Sequence, residues 1–142
     1  MKITVETLAK AAKNTVWRAW NNPEDIKQWN AASDDWHTTE SSVDLREGGS
    51  FSARMEAKDG SEGFDFAGTY TRVVPQKLIE YELEDGRTVT VEFKEIADGV
   101  VVKETFEAES QNEPEVQRQG WQAILNNFAR HVEKREIARS AG

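Results

Sequence analysis

His37 stands beside Asp34 and Asp35, an order in which a carboxylate can raise an imidazole's affinity for a proton and make it a general base. Adjacency in sequence does not turn side chains toward one another, and no serine elbow accompanies them, so the expectation is a solvated loop histidine. His131, next to Val132, is expected at a helix boundary near a basic end that complements the helix dipole. Glu82, Glu84, Asp85, Glu92, Glu95 and Asp98 form an acidic set that is expected to be a solvated face. The run Asp59-Gly60-Ser61-Glu62 is too short for a twelve-residue calcium loop. With no cysteine and two separated histidines, no zinc ligand set is available. No metal, no cofactor and no catalytic residue is therefore assigned. Gly48, Gly49 and Gly68 lack the strand-to-helix context of a phosphate loop and suit turns and sheet bending.

The aromatic residues carry more information. Five Trp, six Phe and two Tyr fall mostly on single faces of periodic segments. Trp121, Leu125 and Phe128, with Ile124, make one helix face, and Phe51, Met55, Phe66, Tyr70, Tyr81, Phe93 and Phe106 recur on inward strand positions. Such a set can fill a core completely. It can also line a space of about a few hundred Å³ near the helix start, because a concave sheet does not pack tightly on one helix everywhere. Tyr70 and Tyr81 would then orient a mostly apolar ligand. Trp29 and Trp36 flank an irregular stretch expected to form the lip of that space, while Trp17 and Trp20 are expected in the core.

The elements that position these residues follow from periodicity. Ile3 and Val5 alternate with polar neighbours, predicting a strand that leads to Leu8. The period changes to helical over residues 11–20, through Ala12, Val16, Trp17, Ala19 and Trp20. Asn22-Pro23-Glu24-Asp25 predicts a cap, a proline at the first helical position and two acids facing the dipole, for a second helix reaching Trp29. Residues 31–39 show no period and are read as a loop. Strands are predicted around Val43 and Leu45, from Phe51 to Met55, from Phe64 to Tyr70, from Leu78 to Leu83, from Val89 to Phe93 and from Val100 to Phe106. Gly48-Gly49, Asp59-Gly60, Pro75-Gln76, Asp85-Gly86 and Asp98-Gly99 turn the chain between them. A last helix starts near Pro114, with Lys134, Arg135 and Arg139 at its C-terminal end. About seven strands joined by short turns imply an antiparallel meander in an α+β domain. No repeat or linker interrupts the 142 residues, so 1–142 is assigned to one domain.

Composition limits the partners. A net charge of −8 with no basic stripe disfavours nucleic acid. No apolar run spans a bilayer and the N-terminus has no signal-peptide core, so no membrane insertion is expected and the predicted location is cytoplasmic.

Val16-Trp17-Arg18-Ala19, Asn22-Pro23-Glu24 and Ile26-Lys27-Gln28-Trp29 together resemble the opening of the START-like (SRPBCC) superfamily, the helix-grip or birch-pollen-allergen-like fold. Asp44-Leu45-Arg46-Glu47-Gly48-Gly49-Ser50-Phe51, Gly68-Thr69-Tyr70 and Gly120-Trp121 are similar to the branch homologous to the C-terminal domain of heat-shock-protein-90 ATPase activators. The resemblance covers essentially the whole chain. It implies a curved sheet gripping a long C-terminal helix, with two short helices after the first strand. For function it implies binding of a small hydrophobic or aromatic molecule, such as a lipid or polyketide, in the cavity between helix and sheet. Two alternatives belong to the same superfamily: a cyclase-like or hydrolase-like enzyme using Tyr70, Tyr81 or His37 for proton transfer, and a chaperone-associated interaction module. The eukaryotic chaperone activators also carry a separate N-terminal domain, whereas this sequence opens on the grip fold, which argues against a chaperone role.

Overall fold

The computed structural model describes residues 1–141, excluding the side chains of 139–141. Lys2–Ala9 forms β1, and Lys13–Asn21 and Pro23–Trp29 form α1 and α2. Six strands follow in succession: β2 Trp36–Val43, β3 Ser50–Ala57, β4 Gly63–Val74, β5 Leu78–Leu83, β6 Thr88–Ile96 and β7 Gly99–Glu107. The helix α3, Pro114–Ala141, follows β7. The sheet order is β1-β7-β6-β5-β4-β3-β2, with every neighbouring pair antiparallel. The six-strand meander is thus continuous, and β1 adds to its far end by pairing Lys2 with Glu107 and Ala9 with Val100. This is the helix-grip architecture: a curled antiparallel sheet around one long helix.

Alternation decides what the sheet offers to α3. Val89, Val91 and Phe93 of β6 and Val100, Val102 and Phe106 of β7 are buried, as are Ile3 and Val5 of β1. Leu125, Phe128, Ala129 and Val132 of α3 close over them. Burying a side chain of this size contributes about 1.5–3 kcal/mol, so this end of the sheet is the stable base of the fold.

Asn22 caps α2 as expected, its side chain accepting from the Glu24 amide at 3.2 Å, with Pro23 at the first helical position. Three expectations are corrected. Residues 31–39 are not all loop, because β2 begins at Trp36 and ends at Val43, leaving Leu45 beyond it. As the last strand of the sheet, β2 pairs only with β3 and carries a bulge between Thr38 and Glu40 that breaks the period of two. His131 lies inside α3, not at its boundary. Arg135 lies well before the end of α3 and pairs with Asp25 instead of the last carbonyls; the Arg139 side chain lies outside the described residues.

His131 and Arg135 belong to one buried polar knot. The Asp25 carboxylate, 4% exposed, accepts from Asn22 Nδ2 at 3.0 Å and from Arg135 Nε at 3.0 Å, and lies 2.8 Å from His131 Nε2. A buried carboxylate is tolerated only with such partners. The knot fixes α2 on α3 and so sets how far the two short helices stand from the sheet.

Candidate functional site

Between the first half of α3 and the β3–β5 side of the sheet lies a cavity of about 390 Å³. One glycine helps to shape it. A Cβ on Gly68 would lie 2.6 Å from the Glu82 carbonyl oxygen and 3.0 Å from the Phe51 ring. The absence of that atom lets Phe51, its register partner on β3, lie across β4. Phe51 then meets Tyr81 edge-on at a centroid distance of 4.7 Å and Tyr70 at 5.2 Å.

Of the twelve residues that sequence placed around the space, Trp29, Phe51, Phe66, Tyr70, Tyr81 and Trp121 stand on the cavity wall. The other six do not. Phe106 is covered by Trp121, stacked on it at 4.0 Å, and Phe93 is wedged between Trp17 and Trp20. Leu125 and Phe128 are fully buried, with Phe128 enclosed by Trp20 and Trp29. Met55 is buried on β3 away from the wall, and Trp36 packs on the exposed Phe64 at 5.9 Å. Trp29 Nε1 donates to the Ala19 carbonyl at 2.9 Å, which fastens α2 to α1 and holds the indole as one wall. Trp20, read from sequence as core, also reaches the cavity. His37 sits on β2 outside the wall.

Sequence reasoning passed over the polar part of the wall. Glu104 on β7 is 5% exposed and faces the cavity. Its carboxyl makes no hydrogen bond among the described residues, and burial pushes it up to about 8. At neutral pH it is therefore mostly the neutral acid. The same burial, helped by the Asp44 charge, pushes the Tyr70 hydroxyl up to about 12. Burial and then the neighbouring Glu104 and Tyr70 raise Tyr81 well above the ordinary tyrosine value. The Ser41 hydroxyl on β2, on the same wall, is buried with no partner among the described residues. Gln117 closes the cavity's end toward the β7–α3 loop. Its amide donates to the carbonyls of Glu109 at 3.0 Å and Asn112 at 2.8 Å, and accepts from the Glu109 amide at 2.9 Å. Glu104 was visible in principle, since it occupies the inward phase set by Val100, Val102 and Phe106. Gln117 carried no such signal.

Among the described residues, no group of three or more His, Cys, Asp or Glu is placed to hold a metal, and no helix is long and apolar enough to cross a membrane. The family described as activator of Hsp90 ATPase homolog 1-like protein matches residues 10–133. The chain belongs to that family. An AHSA1-like protein from Aeromonas hydrophila is 51% identical over 94% of this chain and 93% of its own, with a TM-score of 0.88. A protein from Cytophaga hutchinsonii is 45% identical over 94% and 93%, with a TM-score of 0.81. At 19% identity, a protein from Nitrosomonas europaea shares the fold, covering 95% of this chain and 96% of its own with a TM-score of 0.83. No curated protein matches the chain.

Proposed function

We propose that this member of the family binds a small hydrophobic or aromatic molecule in the cavity between α3 and the sheet, as a carrier or sensor and not as a catalyst. The observation that supports it is the combination of about 390 Å³ of space with a wall of Trp20, Trp29, Phe51, Phe66 and Trp121. Interiors are otherwise close-packed, and an apolar-walled space of this size is what a small-molecule site requires. The two tyrosines are held protonated, which suits hydrogen bonding to a ligand better than proton abstraction. Native mass spectrometry of the purified protein tests the proposal, followed by thermal-shift screening against apolar and aromatic compounds. The expected result is a co-purifying small molecule, or a midpoint that rises with ligand concentration as linkage requires. Neither adduct nor shift would reject it.

A second function, docking on a chaperone, draws support from the family's description as an activator of Hsp90 ATPase homolog. The exposed acids Glu82, Glu84 and Glu92 on the outer face of β5, β6 and the turn between them would meet a basic partner. Pull-down with charge-reversed variants separates it from the first, because those substitutions leave the cavity untouched.

A further inference from the structure

We infer that the cavity selects a ligand bearing a neutral hydrogen-bond acceptor, a carbonyl oxygen on an aromatic or alicyclic body, and that Glu104 donates a proton in hydrogen bonding to it. This rests on the cavity being a ligand site and assigns the ligand's polar end. Glu104 is 5% exposed, makes no hydrogen bond among the described residues and stands on the wall of an apolar cavity, where a bound ligand that left its carboxyl unpaired would be penalised. Its neighbour Tyr81 comes from β5, and Tyr70 stands behind Tyr81 on β4. All three oxygens carry protons at neutral pH, so the polar patch they form is rich in O–H donors.

Charge excludes the two other common head groups. The wall contains no Lys and no His. Its one arginine, Arg87, is already engaged, its Nε donating to Asp85 Oδ2 at 2.7 Å. A carboxylate or phosphate ligand would therefore enter a space with two acids, Glu104 and Glu109, and one arginine already paired with Asp85. An alkylammonium meeting Glu104 would require that nearly buried carboxyl to ionise, where desolvation offsets the ion pair, and the wall's other acid, Glu109, already accepts from the Asn112 amide at 2.7 Å. Nor do the rings form an open box around a cation. Phe51 and Phe66 touch Tyr81 and each other, and Phe106 covers one face of Trp121.

Four probes with one body and different heads test this by calorimetric titration of the full chain: naphthalene, 2-acetylnaphthalene, 2-naphthylmethylammonium and 2-naphthoate. The expected result is that 2-acetylnaphthalene binds about fivefold more tightly than naphthalene, the increment of one neutral hydrogen bond, while 2-naphthoate binds more weakly than naphthalene. Glu104→Gln keeps an N–H donor and should retain the acetyl advantage. Glu104→Leu should erase it while still binding naphthalene. If Glu104→Leu does not fold, the Glu104→Gln variant and the four probes still decide. Equal binding of naphthalene and 2-acetylnaphthalene overturns the inference, as does preferred binding of the ammonium probe with its loss in Glu104→Gln. Both outcomes leave the cavity standing as a binding site. Failure of all four probes, naphthalene included, rejects the cavity function and the inference together.

Discussion

Glu104→Gln should make the protein more stable, and by an amount that depends on pH in a definite sense. The native carboxyl titrates near 8 because of burial, against an ordinary value of 4.5. Below pH 4.5 both native and unfolded states hold the proton, and the full native stability is present. Between 4.5 and 8 the unfolded chain releases a proton that the native state keeps, so stability falls as pH rises, by about 1.4 kcal/mol per unit. Above 8 both states are ionised and the loss is complete. Glutamine has no proton to lose. Its advantage over wild type should be close to nothing at pH 4.5, about 3 kcal/mol at pH 7 and about 4 to 5 kcal/mol above pH 8. Urea unfolding of both proteins at matched pH values, followed by tryptophan fluorescence, measures the difference, and the comparison cancels every other titrating group. A difference that stays flat from pH 4.5 to 8 would refute the assignment of a neutral buried acid. So would a glutamine variant less stable at every pH, which would mean an ionised Glu104 with a partner.

Ile124→Trp should fill the cavity from α3 and abolish probe binding with little loss of stability, whereas Leu125→Trp, one residue on but fully buried away from the wall, should overpack the core by about 1–3 kcal/mol; thermal melts with and without naphthalene separate the two. Asp25→Ala should cost about 2 kcal/mol in urea unfolding by leaving His131 and Arg135 without their shared acceptor, a figure at the low end because Arg135 is half exposed. Gly68→Ala places its Cβ 2.6 Å from the Glu82 carbonyl and should lower stability by about 1–3 kcal/mol while displacing Phe51, seen as weakened probe binding.

The base of the fold was legible in the sequence because β1, β6 and β7 each bury one face, so a period of two survives in Ile3, Val5, Val89, Val91, Val100 and Val102. Around β2 it was not. An edge strand with Thr, Glu and Ser at successive positions and a bulge in the middle shows no clean alternation, and a run of polar residues reads as loop. Periodicity marks Phe93 and Phe106 as inward but cannot say what meets them. Trp17 and Trp20 on α1 meet the first and Trp121 meets the second, which depends on sheet curvature and helix placement. Phe51 and Tyr81 meet a space instead. The contact of His131 with Asp25 joins residues 106 positions apart, and neither neighbourhood hints at the other. Glu104 differs from these: the alternation of β7 points it inward, and an acid in that phase was the available warning.

The pairing of β1 with β7 has a consequence for the order in which this molecule is built. Lys2 finds Glu107 only after nearly the whole meander has been synthesised, so β1 must wait for the last strand of the sheet to appear. Loop closure over about a hundred residues is slow compared with hairpin formation between successive strands from β2 to β7. During that wait Ile3, Val5 and the apolar side of α1 have nowhere to hide, and the free edge of β7 is open to any other extended segment. The nascent chain is therefore most vulnerable to misassembly at β1 and α1, whose partners are the last to arrive.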